Sequence, residues 1–510
     1  MLGRVLALLL IYGALAKDYF KESGLDFLRR YGGHYNLFSR FYPNTTTVVT
    51  PGVFSRGIEE DYLTRDYSQF RTWEVSSSRR NFTQHFYRED VGPALEATNN
   101  KLRFGDDPHD RFLDIFLNEK TNTLYLVGTS NEFKDSDGYG CSFLSPSVVY
   151  VPMVIERGFL DVMKKPVIHA HASCPLPPSI ASSIEGDIHM HFTRGGSNPA
   201  EQQQLISNIV VKRPHSLDRR SFNVSLSTIV DTWNEPMLAE WLVYHLLVGV
   251  EHFYLFDISR DDEWSVKGSM IEPFLLANIV TIVYFPIVPL KQDDAVYRFP
   301  LSYPHAAHGV HTPSMNIGMH RFGHYTTFLG FQDLDEFFCL SEDLQPKETL
   351  WGRRNPLLEG FVALMAGDYP KSPGIMFDTL EMGCDDEENY HHSKSPRRPA
   401  LTTTCTITGG YFEELKVGHG KFYAKPEVYA KDIKYVATPH RIDHYWVTWT
   451  KPTHGGLFYH FNRFRYSNMH NPAHFENDRP AGGPYAKGRS NVLRNYTLRA
   501  LNNVLSLPVR

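Results

Sequence analysis

The sequence predicts an α/β protein, a mostly parallel sheet with helices on both faces, preceded by an amino-terminal β-rich region. Three observations support this. After Ser221, strand-like runs alternate with helical patterns. Before residue 210 the runs are short, β-like and broken by Gly, Pro, Asn and Asp. The apolar run at 325–331 is followed closely by Asp333-Leu334-Asp335-Glu336.

At 510 residues the chain is too long for one ordinary core. The expected divisions are a signal peptide or short anchor at 1–16, a stem at 17–64, a β-rich accessory domain at 65–215, an α/β domain at 216–470, and a loop and helix at 471–510. A net charge of -5 gives no electrostatic reason to expect a nucleic-acid partner.

The first residues have the form of a secretory signal: Arg4, an apolar stretch at 5–16, and Ala14-Leu15-Ala16 before Lys17-Asp18. The stretch is short for a bilayer, and no other run approaches about 18 apolar residues. The expectation is therefore the secretory pathway, in the Golgi lumen or with secretion as the alternative. Membrane contact arises only if the amino-terminal segment stays uncleaved. Asn44, Asn81, Asn223 and Asn495 head Asn-x-Ser/Thr acceptor triplets. Five cysteines suit an oxidising compartment. Proximity pairs Cys141 with Cys174 and Cys384 with Cys405, leaving Cys339 in the packing; five buried thiols are the alternative.

In chain order, 123–127, 147–155, 167–170 and 187–192 read as strands of a sandwich. Residues 224–230 read as a buried strand. Asn234 then caps a helix with Glu235 and Pro236 in its first turn. Leu238, Trp241, Leu242 and His245 recur at helical spacing, and Gly249 suits the helix end. His245, on that apolar stripe, reads as a core residue. Strand 253–256, helix 269–277 and strand 279–285 follow. This order implies right-handed crossovers between parallel strands, whose ligands gather beyond the carboxyl ends. Asp257 and the Asp333/Asp335 pair fall at such ends. Residues 380–410 suggest a loop stapled by Cys384 and Cys405. Segments 415–425, 433–447 and 456–461 are strand-like, and 491–505 reads as a helix.

Side chains alternate along a strand, so Asp333 and Asp335 are expected to face the same way while Leu334 turns back into packing. Two aligned carboxylates make a hard-oxygen site for magnesium or manganese, which completes its shell with water and substrate phosphates. A nucleotide diphosphate is the first ligand to consider. The plainer reading is a solvated loop start or a helix cap.

The motifs Asn234-Glu235, 240–245 (Glu-Trp-Leu-Val-Tyr-His), 249–257 (Gly-Val-Glu-His-Phe-Tyr-Leu-Phe-Asp) and 333–337 (Asp-Leu-Asp-Glu-Phe) together resemble glycosyltransferase family 92 over roughly 222–470. Its members include β-galactosyltransferases of animal glycans and plant β-1,4-galactan synthases. The resemblance implies a GT-A fold with a Rossmann-like sheet, a UDP-sugar donor, a divalent cation such as manganese, and inversion at the anomeric carbon. It also implies a glycan or polysaccharide acceptor, and a homodimer is compatible with it. Under that implication Asp335 and Asp333 hold the metal, with Asp333 on ribose or metal and Glu336 behind them. A downstream His, His440 or His460, completes the ligands, each having an ordinary hydrogen-bonded His as its alternative. Phe461-Asn462 separates His460 from Arg463 where the family carries His-Tyr-Arg. Asp378 or Glu381 would serve as base, with Asp385, Asp386, Glu413 and Glu414 as further choices and solvated surface charge as the plain reading. Asn234, Glu235 and Asp257 would contact the base or ribose of the donor. Lys425 in its pre-proline position, Lys421 or Arg321 could meet phosphate.

The competing readings are a secreted glycan-binding protein that keeps the scaffold without the chemistry and, last, a metal-dependent hydrolase. No His-Glu-x-x-His cluster supports the latter.

Overall fold

The computed structural model describes residues 111–118, 121–130, 138–144, 147–157, 168–182, 187–195, 202–211, 222–230, 238, 241–242, 244–245, 248–257, 280–284, 304–341, 344, 356–367, 372–383, 407–411, 420–428, 448–450, 455–461, 488–489, 493 and 496. The expected signal segment, stem and helix at 269–277 lie outside them, as do Cys384 and Cys405. No described helix is long and apolar enough to cross a membrane.

The first part is all-antiparallel. Its strands are β1 (Arg111–Asn118), β2 (Thr123–Ser130), β3 (Gly140–Phe143), β4 (Val149–Pro152), β5 (Val154–Arg157), β6 (Ile168–Pro175), β7 (Ile188–Arg194) and β8 (Gln203–Val211). They form two four-stranded sheets, ordered β1-β2-β6-β5 and β4-β3-β7-β8. Phe112, Leu126 and Ala172 of one sheet share a core with Phe143, Met190 and Phe192 of the other. Cys141 of β3 is bonded to Cys174 of β6, which joins the two sheets covalently, and Cys339 is free and buried. Closing a loop of 33 residues removes chain entropy from the unfolded state, a contribution of about 3–4 kcal/mol on the loop-entropy account.

The second part is mixed α/β. Strands β9 (Phe222–Val230), β10 (His252–Asp257), β11 (Val280–Tyr284) and β12 (Thr326–Phe331) are parallel and ordered β11-β10-β9-β12. Between β9 and β10 the described residues 238–248 are helical, and Gly249 leaves that helix at φ 118°, a conformation glycine adopts without a Cβ clash. The remaining strands are β13 (Glu336–Leu340), β14 (Gly374–Phe377), β15 (Thr379–Gly383), β16 (Ile407–Tyr411), β17 (Lys421–Ala424), β18 (Thr448–Thr450), β19 (Gly456–His460) and β20 (Gly488–Arg489). β17 joins β12 antiparallel, and β14 and β18 complete a seven-stranded sheet. A five-stranded sheet runs β13-β19-β15-β16-β20.

Alternation along β12 sorts the two faces of the larger sheet. Leu329 and Phe331 pack with Met315 and Ile317 of α1 (Pro304–Ile317), with Phe322, and with Phe116 and Tyr125 of the sandwich. Phe328 faces the other way, onto Phe361 of α2 (Pro356–Gly367), 5.2 Å between ring centroids. Helices thus cover both faces. Gly330 permits a close approach: a Cβ there would lie 2.6 Å from Leu226 Cδ2 and 2.7 Å from Tyr423 Cε1.

Candidate functional site

The chain leaves β12 at Phe331 and changes sheets, entering β13 at Glu336. Asp333, Leu334 and Asp335 occupy the turn between. This corrects the expectation that the two carboxylates align by strand alternation. Leu334 is buried as expected, but Asp333 and Asp335 meet different partners. Glu336 closes the turn. Its backbone N–H donates to the Asp333 carbonyl at 3.1 Å, while its Oε2 accepts the Asp333 N–H at 2.9 Å. The Asp335 carbonyl accepts from the Phe461 N–H at 2.8 Å, which ties the turn to the end of β19.

Asp335 is 1% exposed, and its Oδ2 lies 3.6 Å from Nε2 of His460. Asp333 is more open; its Oδ1 lies 3.5 Å from His311 Nε2 and its Oδ2 lies 3.1 Å from Lys421 Nζ. Lys421 also stands 3.2 Å from Glu336 Oε1. Burial pushes the Glu336 carboxyl up, and the Lys421 ammonium opposes that shift.

The fold explains this convergence. In parallel strands all carboxyl ends share one edge, and Asp257, at the end of β10, is in register with Val230 of β9 and Tyr284 of β11. Gln332 donates its backbone N–H to the Ser227 carbonyl at 3.2 Å, so the acidic turn leaves at the same edge. β17 runs the opposite way, so its first residue, Lys421, arrives there too, paired across the ladder with Phe377 of β14. Asp378 follows Phe377 directly and is half-buried, its carbonyl accepting from the Phe458 N–H at 2.9 Å. In the second sheet His460 is in register with Glu336 on one side and Glu381 on the other.

Beneath the turn lies a buried polar layer. Gln332 Nε2 donates to the Tyr423 hydroxyl at 2.6 Å. His245, fully buried, bonds through Nδ1 to the Trp241 carbonyl at 2.8 Å. Desolvation lowers its pKa to about 3, so it is neutral and Nδ1–H is the donor. It is the core residue the sequence suggested. Trp241 Nε1 and the Tyr244 hydroxyl donate to the carbonyls of Glu336 and Phe338 at 3.1 and 2.7 Å, fixing β13 against the helix.

Of the expected site residues, the structure brings Asp333, Asp335 and His460 together, with Asp378 and the backbones of Asp257 and Glu381 at the same edge. Asn234, Glu235 and His440 lie outside the described residues, as do the side chains of Asp257 and Glu381. Arg321 is placed elsewhere: it is buried against the sandwich, with Nε 2.6 Å from Asp114 Oδ2. Lys425 is also placed elsewhere. It follows β17 at the end away from Asp333, where its N–H bonds the Pro373 carbonyl at 2.7 Å. Lys421 takes the place at the acidic turn, and its position at a strand start beside an antiparallel crossover is visible only in the register. His311 was not anticipated; Pro304 and Pro313 obscure its helix in the sequence.

Among the described residues no three His, Cys, Asp or Glu side chains converge as a complete metal-holding group. The donor set still fits a hard divalent ion that draws the rest of its shell from water and phosphate. Carboxylate oxygen and imidazole nitrogen already face each other at Asp335 and His460, and cis ligands of an octahedral ion about 2.1 Å away stand roughly 3 Å apart.

The carboxyl edge of the parallel strands in this α/β protein thus gathers carboxylates, His311, His460 and Lys421, and it is the edge at which ligands of such sheets bind. Residues 220–506 match the model of glycosyltransferase family 92, and the chain belongs to that family. The match extends beyond the 470 limit expected from the motifs. No curated protein matches the chain.

Proposed function

We propose that this glycosyltransferase is an inverting, manganese-dependent enzyme that moves galactose from UDP-galactose to a glycan or polysaccharide acceptor in the secretory pathway. The observation that carries the reading is the Asp333–Asp335 turn at the carboxyl edge, with His460 facing Asp335 at 3.6 Å. The sheet order β11-β10-β9-β12-β17-β14-β18, with β17 alone reversed, supports the GT-A description. The Cys141–Cys174 bond supports an oxidising compartment, Golgi or extracellular.

In this reading Asp335 and His460 hold the cation, with Asp333 beside them facing ribose or metal. Manganese, when bound, neutralises the departing diphosphate as a Lewis acid. Asp378 or Glu381 takes the proton of the acceptor hydroxyl as that oxygen bonds to the anomeric carbon. The bond from that carbon to the phosphate oxygen breaks on the opposite face, and UDP leaves. The carboxyl edge, flanked by Asp257, receives the nucleoside. The sandwich is proposed as an accessory domain, with glycan binding as its candidate role.

The test is the thermal stability of the purified chain with UDP and UDP-sugars, with and without manganese. A ligand at a hundredfold excess over its dissociation constant stabilises by about 2.7 kcal/mol. A manganese-dependent shift with UDP-galactose is the expected result. A well-folded sample that responds to no nucleotide but binds glycans would overturn the reading in favour of a non-catalytic glycan-binding protein.

A further inference from the structure

We propose that Lys421 is a positioning residue that makes cation binding at the acidic turn depend on the nucleotide diphosphate; the proposal rests on the function inferred above. Its side chain is 1% exposed and its ammonium lies 3.1 Å from Asp333 Oδ2 and 3.2 Å from Glu336 Oε1. The other oxygen of Glu336 accepts the Asp333 N–H at 2.9 Å. Ammonium, Asp333 carboxylate, Asp333 backbone and Glu336 carboxylate therefore close a ring that holds the turn in one arrangement. A strand lysine ordinarily carries its ammonium to water. Burying it is unfavourable unless carboxylates compensate, and here two do.

The charge has a consequence beyond geometry. Asp333, Asp335 and Glu336 place three carboxylates within one turn, and Lys421 offsets one of them. The offset weakens the pull of the empty turn on a free cation and reduces its repulsion of a diphosphate. Cation and nucleotide then bind well only together. Lys421 reaches this position because β17 is antiparallel between β12 and β14, so its amino end lies at the edge where the parallel strands finish.

Calorimetric titration of the full chain with manganese alone, and with UDP at saturating manganese, tests this. Lys421→Met should bind manganese alone several-fold more tightly and UDP at least tenfold more weakly, while Lys421→Arg should keep both constants within about threefold of wild type. Opposite movement of the two constants is what a merely structural role cannot produce. Should Lys421→Met fail to fold, Lys421→Gln removes the charge while keeping a donor toward Asp333 and Glu336. It should move the two constants in the same opposite directions. Wild type that binds UDP with manganese, while these variants keep both constants or lose both in parallel, overturns the role of Lys421 alone. Wild type that binds no UDP at all overturns the functional reading beneath it.

Discussion

Asp114 and Arg321, 207 positions apart, form a buried bidentate pair that fastens the sandwich to the end of α1: Nε and Nη2 of the guanidinium each donate to one carboxylate oxygen. Arg321 lies in the π-helical turn Gly318–Phe322, and its neighbour His320 stacks on Tyr125 at 4.6 Å and lies 5.8 Å from His171. α1 also carries His311 to Asp333. The sandwich therefore braces the helix that brings His311 to the acidic turn.

Removing one partner of a buried pair strands the other charge, so Asp114→Asn should destabilise the chain by about 3–5 kcal/mol. The double change Asp114→Leu/Arg321→Met removes both charges and should recover much of that loss. Urea unfolding of the three proteins measures it. Equal loss in single and double variants would show that the pair contributes through packing alone.

At the acidic turn, Asp335 Oδ2 and His460 Nε2 stand 3.6 Å apart. Asp335→Asn should abolish manganese-dependent UDP binding, and His460→Gln should weaken it by roughly 10–100-fold, the range for disturbed metal-site residues. Titration of UDP at fixed manganese reads both. His460 is not part of the cation site if His460→Gln binds normally while Asp335→Asn does not.

The legible parts of the sequence were those whose signal is local. Residues 224–230 and 253–256 read as strands and fall within the observed Phe222–Val230 and His252–Asp257, Gly249 marks a helix end, and the acidic pair follows an apolar run. Cys141 and Cys174 paired as their proximity suggested. What escaped was set by partners distant in sequence. Lys421 and Arg321 are both cations in apolar surroundings, and only the register of β17 and the docking of the sandwich assign one to the acidic turn and the other to Asp114. The divergence of Asp333 and Asp335 arises because they lie in the turn where the chain changes sheets between β12 and β13, which periodicity does not reveal.

The neutral, buried His245 makes stability depend on pH. Its folded pKa, about 3, lies below the ordinary value of 6.5. The unfolded chain therefore takes up a proton that the folded chain refuses, and stability is lost as pH falls from about 6.5 toward 3, by up to roughly 1.4 kcal/mol per pH unit. Above that window the residue contributes no slope. His245→Gln should flatten this component, measured as the difference between the two proteins in urea unfolding at pH 4.5 and pH 7.5. An identical pH dependence in both would place the acid sensitivity in other groups.

Gly330 and Tyr423 test how far packing beneath the turn controls it. A methyl group at 330 would press on Leu226 and on the Tyr423 ring from 2.6 and 2.7 Å, and overpacking of this kind costs about 1–3 kcal/mol. The ring cannot yield without moving its hydroxyl, which accepts from Gln332 at 2.6 Å, and Gln332 directly precedes Asp333. Gly330→Ala should therefore lower both stability and UDP affinity. Tyr423→Phe removes only that hydrogen bond and should cost about 1 kcal/mol or somewhat more, since Gln332 loses a buried partner. Thermal unfolding and UDP titration on both variants separate the effects. If Gly330→Ala loses stability while keeping native UDP affinity, the polar layer supports the fold without governing the position of Asp333.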